Sequence, residues 1–169
     1  MAGRGSRFRQ EGYGVPKPFI PIQKQPMFLA AIRSFAPADR YLVICLEEFV
    51  RKYSFKARIE SELENCRVLA IDQVTEGQAC TCLLAESEMR PDEPLMISSC
   101  DYLLRYDHAA YQKLLDDPLI DVIIWTFTPG GVLKTDPRAF AYCRLQNHKV
   151  LEVVEKQLIS DTPHKDPAV

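Results

Sequence analysis

The sequence predicts an α/β fold, a Rossmann-like, doubly wound, mixed but mostly parallel sheet flanked by helices, and three observations support this prediction. Four short apolar runs rich in β-branched residues recur along the 169 residues. Segments with an apolar stripe at helical spacing lie between them. The apolar runs are continuous rather than alternating, which is typical of strands covered on both faces in a parallel sheet. Strand and helix therefore alternate as a doubly wound sheet requires.

The predicted elements follow one another along the whole chain. The apolar runs predict strands at 41–46, 67–71, 95–99 and 121–127. The helical patterns cover 27–35, 47–63, 78–87 and 108–115. Near the C-terminus, 140–145 and 150–156 predict a hairpin around Gln146-Asn147-His148. Since no repeat, low-complexity segment or linker interrupts this order, the chain is predicted to be one domain over 1–169.

Composition excludes several classes of partner. The formal net charge of -2 argues against a nucleic-acid partner, which needs a concentrated excess of Lys and Arg. No apolar run approaches the ~20 residues that cross a bilayer, and the N-terminus lacks the apolar core of a signal peptide. We therefore expect a cytoplasmic protein with no membrane partner. The sequence does not indicate the oligomeric state.

The six cysteines do not have the spacing of a metal site. Cys80-Thr81-Cys82 has one intervening residue and no second pair to match it. A metal–thiolate role remains an alternative. The cysteines lie mostly within apolar segments, which favours buried, reduced thiols.

The N-terminal segment carries the pattern of an anion-binding loop. Gly3, Gly5 and Ser6 precede Arg7, so backbone N–H groups can turn toward one anion while Arg7 and Lys17 add two cations. Such a loop suits a polyphosphate. The alternative is a surface turn with solvated charges, and Arg4 is a further potential contact.

Five motifs in this order resemble those of the sugar-phosphate nucleotidyltransferases, the NDP-sugar pyrophosphorylase-like family. They are the loop Gly3-Arg4-Gly5-Ser6-Arg7-Phe8, Pro16-Lys17-Pro18 with Lys24-Gln25-Pro26-Met27, Thr75-Glu76-Gly77-Gln78-Ala79, a strand ending in Asp101, and Val154-Glu155-Lys156. The resemblance implies the nucleotide-diphospho-sugar transferase fold. It further implies an enzyme that joins an NTP to a sugar 1-phosphate or similar phosphomonoester and releases pyrophosphate.

The resemblance also implies the nucleotide and metal contacts. Ala2, Gly3, Gly5 and Ser6 would bind the triphosphate, and the catalytic residues Arg7 and Lys17 would neutralise its charge in the transition state. Asp101 would hold Mg²⁺ at the carboxyl end of its strand. The alternative for Asp101 is an N-cap of the following segment.

Base and acceptor contacts follow from the same resemblance. Gln73, Thr75 and Gly77 would meet the base, although Thr75 and Gln78 also have the form of a capping box. Glu155 and Lys156 would bind the sugar hydroxyls and phosphate of the acceptor; the alternative is a solvated edge strand, and Gln157 stands where the family often has Pro. The sequence reveals neither the base nor the acceptor.

The resemblance predicts an incomplete domain. In this family a strand precedes the phosphate loop, which here begins at Met1, and a second metal-binding Asp follows a Gly-x-[YF]-x-Phe strand expected beyond Val169. A nucleotide-binding module without turnover is therefore the second hypothesis. A P-loop kinase or GTPase is the third hypothesis. It is weakened because the loop of those proteins ends in Gly-Lys-[ST], whereas the loop in this sequence has Gly-Ser-Arg.

Overall fold

The computed structural model describes residues 3, 8, 10–129 and 136–169, which form two compact units, Met1–His108 and Ala109–Val169. The prediction of one domain over 1–169 stays a prediction. In the first unit the elements are β1 (Pro21–Ile22), β2 (Gln25–Pro26), α1 (Met27–Ser34), β3 (Tyr41–Leu46), α2 (Glu47–Tyr53), α3 (Phe55–Glu60), β4 (Cys66–Ile71) and α4 (Gln78–Leu83), with short 3-10 helices at Lys17–Phe19 and Glu86–Glu88. Helix α5 (His108–Leu115) begins at the boundary. A 3-10 helix (Pro137–Ala139), β5 (Ala141–Gln146) and β6 (Lys149–Glu155) follow.

The first unit is built on a parallel pair of strands. Strands β3 and β4 pair in register from Tyr41 with Cys66 to Leu46 with Ile71. Helices α2 and α3 form the crossover between them, as the parallel direction requires. The prediction of one helix over 47–63 is wrong in one respect, because Ser54 adopts a left-handed φ of 52° and divides it into two. Both predicted strands of this pair are confirmed.

The core of the first unit lies around this pair and is aromatic. The Phe55 ring is fully buried and lies 4.5 Å from Phe19 and 5.5 Å from Phe49, centroid to centroid. Helix α1 contributes Phe28 and Leu29, which are also almost fully buried. Together these side chains cover β3 and attach the Lys17–Phe19 segment to the sheet.

The predicted strands at 95–99 and 121–127 are wrong. Neither segment forms a strand. Of all their residues, only Phe127 makes an isolated β-bridge, with Ala168. Leu95 and Val122 are 60% and 75% exposed, so these runs are not covered on both faces. An apolar run predicts that a segment can be extended, but a strand also needs a neighbour for its N–H and C=O groups.

The second unit contains the predicted hairpin, which is confirmed. Strands β5 and β6 pair antiparallel, with Asn147 and His148 at positive φ in the connecting turn. The last residues of the chain join this sheet through a bridge between Ala168 and Tyr142. The Ala168 N–H and C=O bond to Phe127, and the Cys143 N–H donates to Pro167 O over 2.8 Å.

In the described residues the chain is thus a mixed α/β structure with one parallel and two antiparallel two-stranded sheets, so the doubly wound sheet is formed only in part. The thiols of Cys45 and Cys143 are buried, as predicted, and burial raises the pKa of Cys45 to about 11. Cys80 is exposed, against the prediction of a buried thiol. No helix in the described part of the chain is long and apolar enough to cross a membrane.

Candidate functional site

Lys17 is held by a short segment whose neighbours are buried. The 3-10 helix Lys17–Phe19 begins after Pro16, and the Phe19 N–H donates to Pro16 O over 2.9 Å. Pro18 and Phe19 are buried, with the Phe19 ring packed edge-on against Phe28 and Phe55. Because the ring anchors the backbone on the core, the lysine side chain projects from a fixed base.

Asp101 lies in a turn that is tied to α1. The Leu104 N–H donates to Ser34 Oγ over 2.9 Å, and the Ser34 hydroxyl donates to Ala31 O. The preceding residue, Cys100, packs against the aromatic core. Residues 102–107 form no helix, so the alternative that Asp101 caps a following helix is wrong. Asp101 is placed by tertiary contacts rather than by a strand end.

The structure brings Lys17 and Asp101 together across 84 residues of sequence. Lys17 Nζ lies 2.5 Å from Asp101 Oδ2, and Ser99 Oγ donates to Asp101 Oδ1 over 2.6 Å. The Lys17 and Asp101 side chains are 26% and 30% exposed. Burial raises the pKa of Asp101, but the hydrogen bonds from Lys17 and Ser99 and the charge of Lys17 outweigh it and hold this pKa below its usual value.

An aromatic pair flanks the lysine. Lys17 Nζ lies 5.2 Å from the centroid of the Phe8 ring, within cation–π range. Phe8 packs edge-on against Tyr13 at 5.8 Å, and the Tyr13 N–H donates to Phe8 O. Phe8 is the last residue of the glycine-loop motif, so the end of that motif lies beside Lys17. Ala2, Gly5, Ser6 and Arg7 lie outside the described residues; Gly3 is exposed, with open space beside it.

The segment after β4 contains the residues predicted to meet the base. Thr75 Oγ1 donates to Gly77 O, and the Thr75 and Thr81 hydroxyls lie 2.6 Å apart. Gly77, not Thr75, is the N-cap of α4, so the capping box of Thr75 with Gln78 is not formed. Gly77 has an extended φ of -173°, which any residue adopts, and open space lies beside it. Gln73 is exposed.

A cleft opens at the carboxyl ends of β3 and β4. Its volume is about 380 Å³. Its walls are formed by Glu47, Leu69, Ala70, Ile71, Asp72 and Leu84. The segment with Gln73 follows directly in sequence from this wall. Carboxyl ends of parallel strands are where α/β sheets receive ligands, so the cleft has the position such a fold uses.

Glu155 and Lys156 lie at the end of β6 in the second unit. Lys156 Nζ is 3.2 Å from Glu155 Oε1, and both side chains are 74% exposed. Lys156 has a left-handed φ of 55°, and its N–H donates to Phe140 O. These two predicted acceptor residues, which are neighbours in sequence, therefore form an exposed ion pair.

Sequence reasoning missed the residues that support the predicted ones. Ser99 binds Asp101, Phe8 flanks Lys17, and Thr81 binds Thr75. For Ser99 the signal was its position two residues before Asp101, where a hydroxyl can reach a carboxylate. Phe8 was recognised only as the last residue of the loop motif, and Thr81 carried no signal in sequence, because their contacts depend on how the loop and helix are folded.

Asp101 has the chemistry of a divalent-cation ligand. In the part of the chain that the structure describes, no three His, Cys, Asp or Glu side chains converge. A single carboxylate with a neighbouring hydroxyl nevertheless fits Mg²⁺, which keeps several waters and takes other oxygens from substrate phosphates.

Comparisons with known proteins support the fold. No protein-family model and no curated protein match the chain. It is similar in structure to a nucleoside-diphosphate-sugar pyrophosphorylase from Vibrio cholerae RC9, with a TM-score of 0.63 and 20% sequence identity. The likeness covers 95% of this chain and 67% of that one. At this identity it establishes the fold alone. The predicted fold is supported to that extent.

Proposed function

We propose that this chain belongs to a nucleotidyltransferase that joins an NTP to a sugar 1-phosphate or a similar phosphomonoester and releases pyrophosphate. The observation that carries the proposal is the contact of Lys17 with Asp101, 84 residues apart. They come from two separate motifs of the nucleotidyltransferase resemblance. The likeness to a pyrophosphorylase in overall fold supports the proposal independently of these motifs.

In the proposed reaction an oxygen of the acceptor phosphate attacks the α-phosphorus of the NTP. The new P–O bond forms as the bond to the β-phosphate oxygen breaks, and pyrophosphate leaves with that electron pair. Negative charge develops on the equatorial and leaving oxygens, so fixed cations lower the barrier. Lys17 is one such cation. Its backbone is anchored on the core, which limits the region that the ammonium can reach.

The glycine loop would bind the triphosphate through backbone N–H groups of Ala2, Gly3, Gly5 and Ser6, with Arg7 as the second cation. Gln73, Thr75 and Gly77 would contact the base. The open space beside Gly77 leaves room for a planar ring. Glu155 and Lys156 would contact the acceptor, where a carboxylate suits hydroxyls and an ammonium suits a phosphate.

Asp101 would hold Mg²⁺, with Ser99 as a neighbouring oxygen donor. When bound, the ion would neutralise phosphate charge in the same region. The carboxylate is ionised at neutral pH, as its pKa lies below the usual value. Ser99 binds one oxygen of that carboxylate, and the other oxygen, which Lys17 contacts in this structure, would bind the cation.

Pyrophosphate release tests the proposal. The chain is incubated with Mg²⁺ and each common NTP against a panel of sugar 1-phosphates and other phosphomonoesters. We expect one combination to release pyrophosphate. Lys17→Ala should lower that rate roughly 10²–10³-fold, the loss typical of one transition-state donor. Lys56→Ala, which removes the same charge from an exposed position on α3, should leave the rate unchanged.

Equal rates for wild type and Lys17→Ala would contradict the role of Lys17. An absence of release over the whole panel, with nucleotide binding retained in equilibrium dialysis, would favour the alternative of a nucleotide-binding module without turnover. An absence of both would contradict the proposed function altogether.

A further inference from the structure

The cation site at Asp101 is occupied by the chain itself. Lys17 contacts Oδ2 and Ser99 contacts Oδ1, so each carboxylate oxygen has a partner. Both side chains of the ion pair are mostly shielded from water, at 26% and 30% exposure. A divalent cation and the Lys17 ammonium would therefore compete for the same oxygen.

We propose that Lys17 is a placeholder cation, which blocks divalent-cation binding at Asp101 in the chain without ligand and leaves Asp101 when a polyphosphate binds. The blocking of Asp101 stands on the ion pair alone. The release of Lys17 by a polyphosphate rests on the proposed function. Metal and polyphosphate would then bind cooperatively, because the binding of either one separates Lys17 from Asp101.

The geometry allows Lys17 to change partners without a change of fold. Its backbone is attached to the core through Phe19, whereas the side chain has four rotatable bonds and a compact ammonium. The Phe8 ring provides a second favourable contact at 5.2 Å. The ammonium can therefore move toward a phosphate beside Phe8 while the segment stays in place.

The competition has a thermodynamic consequence. If a polyphosphate removes Lys17 from Asp101, it raises the affinity of Asp101 for the metal by some factor. By linkage, the metal raises the affinity for the polyphosphate by the same factor. Removal of either partner by mutation should likewise increase binding at the other.

The first experiment measures binding of Mn²⁺ alone, by electron paramagnetic resonance of the unbound ion. Lys17→Met should bind Mn²⁺ at least roughly tenfold more tightly than wild type, since a charge-assisted hydrogen bond no longer occupies Asp101. The double variant Lys17→Met/Asp101→Asn should lose that gain. Lys56→Met removes the same charge from an exposed site and should bind as wild type does.

The second experiment measures binding of sodium tripolyphosphate in excess EDTA, by isothermal titration calorimetry. Asp101→Asn should bind it several-fold more tightly than wild type, because Lys17 is released. Adding Lys17→Met to that variant should abolish the gain. Asp92→Asn, at an exposed position, removes the same charge and is the matched control.

The outcomes separate this inference from the proposed function. If Lys17→Met gains no Mn²⁺ affinity, or the gain survives Asp101→Asn, the placeholder role is overturned, whether or not the chain turns over nucleotides. If Mn²⁺ binding behaves as expected but no variant binds tripolyphosphate, the proposed function fails and the blocking of Asp101 stands. Circular dichroism checks folding, and Lys17→Gln replaces Lys17→Met if the latter does not fold.

Discussion

The parallel pair β3–β4 and the hairpin β5–β6 both carry apolar strands, but they differ in how those strands are covered. In β3, Val43, Cys45 and Leu46 are buried. In β6, Leu151 and Val153 are 59% and 51% exposed, and no residue of the strand is buried. Apolar sequence alone therefore does not produce a core; a covering layer is also needed.

The difference follows from how each pair is connected. A parallel pair needs a long crossover, and here the crossover supplies α2 and α3, whose Phe49 and Phe55 cover β3. A hairpin needs a two-residue turn and brings no covering element with it. The first pair thus gains its stability mainly from packing, and the second from backbone hydrogen bonds, from its contact with the last residues of the chain and from the burial of Tyr142 and Cys143 in β5 alone.

The largest expected effect is the loss of a core ring. Phe55→Ala should destabilise the first unit by about 3–5 kcal/mol, because it removes a fully buried side chain that contacts three other aromatic rings. Leu151→Ala in β6 should change the stability of the second unit by less than about 0.5 kcal/mol. Hydrogen exchange of peptides from β4 and β6 during urea titration measures each unit. Equal effects of the two substitutions would contradict the difference in packing between the parallel pair and the hairpin.

A smaller effect is expected at two left-handed residues, one in each region. Ser54 (φ 52°) divides α2 from α3, and His148 (φ 63°) lies in the hairpin turn. Ser54→Gly and His148→Gly should each stabilise their unit by about 0.5–1 kcal/mol, because glycine adopts this conformation without strain. Ser61→Gly is the control at a φ of -73° and should not stabilise. Stabilisation by all three would show that strain is not the cause.

The smallest effect in stability is expected from one ion pair in each region. Arg144 and Glu152 in the hairpin lie 2.9 Å apart at 55% and 49% exposure, so Glu152→Gln should cost less than about 0.5 kcal/mol. Lys17 and Asp101 are better shielded from solvent. Asp101→Asn should therefore lower the free energy of unfolding at neutral pH by more than Glu152→Gln does.

The pH dependence sharpens this contrast. The pKa of Asp101 is lower in the folded chain than its usual value of 3.8, so the unfolded chain binds more protons between the two values and stability rises with pH there. The contribution is fully present above about pH 5 and is lost as pH falls through the folded pKa. The stability difference between wild type and Asp101→Asn should therefore shrink below pH 4. A difference independent of pH would contradict the charge of Asp101 as its origin.

The elements that the sequence predicted correctly are those set by local patterns. The apolar run at 41–46 and the turn residues Asn147 and His148 mark β3 and the hairpin in sequence. The runs at 95–99 and 121–127 have the same pattern, but no neighbouring strand pairs with them in the described residues. The break of the second helix at Ser54 was not predicted, since serine carries no strong signal for a left-handed φ.

The sequence motifs proposed residues for the candidate site but did not give their side-chain contacts. The motifs named Lys17 and Asp101, and their contact is observed. The functional roles of all the predicted site residues stay predictions: Ala2, Gly3, Gly5, Ser6, Arg7, Lys17, Gln73, Thr75, Gly77, Asp101, Glu155 and Lys156. The contacts of Ser99 with Asp101 and of Phe8 with Lys17 became visible only in the structure.

The sequence by itself determined the strands β3 and β4, the turn of the hairpin and the identity of the charged residues, because these depend on neighbours within a few positions. The tertiary structure decided which apolar runs find a partner and a cover, and it set Lys17 against Asp101. Such contacts join segments far apart in the chain, and their geometry depends on packing around Phe19 and Phe55 that no local pattern contains.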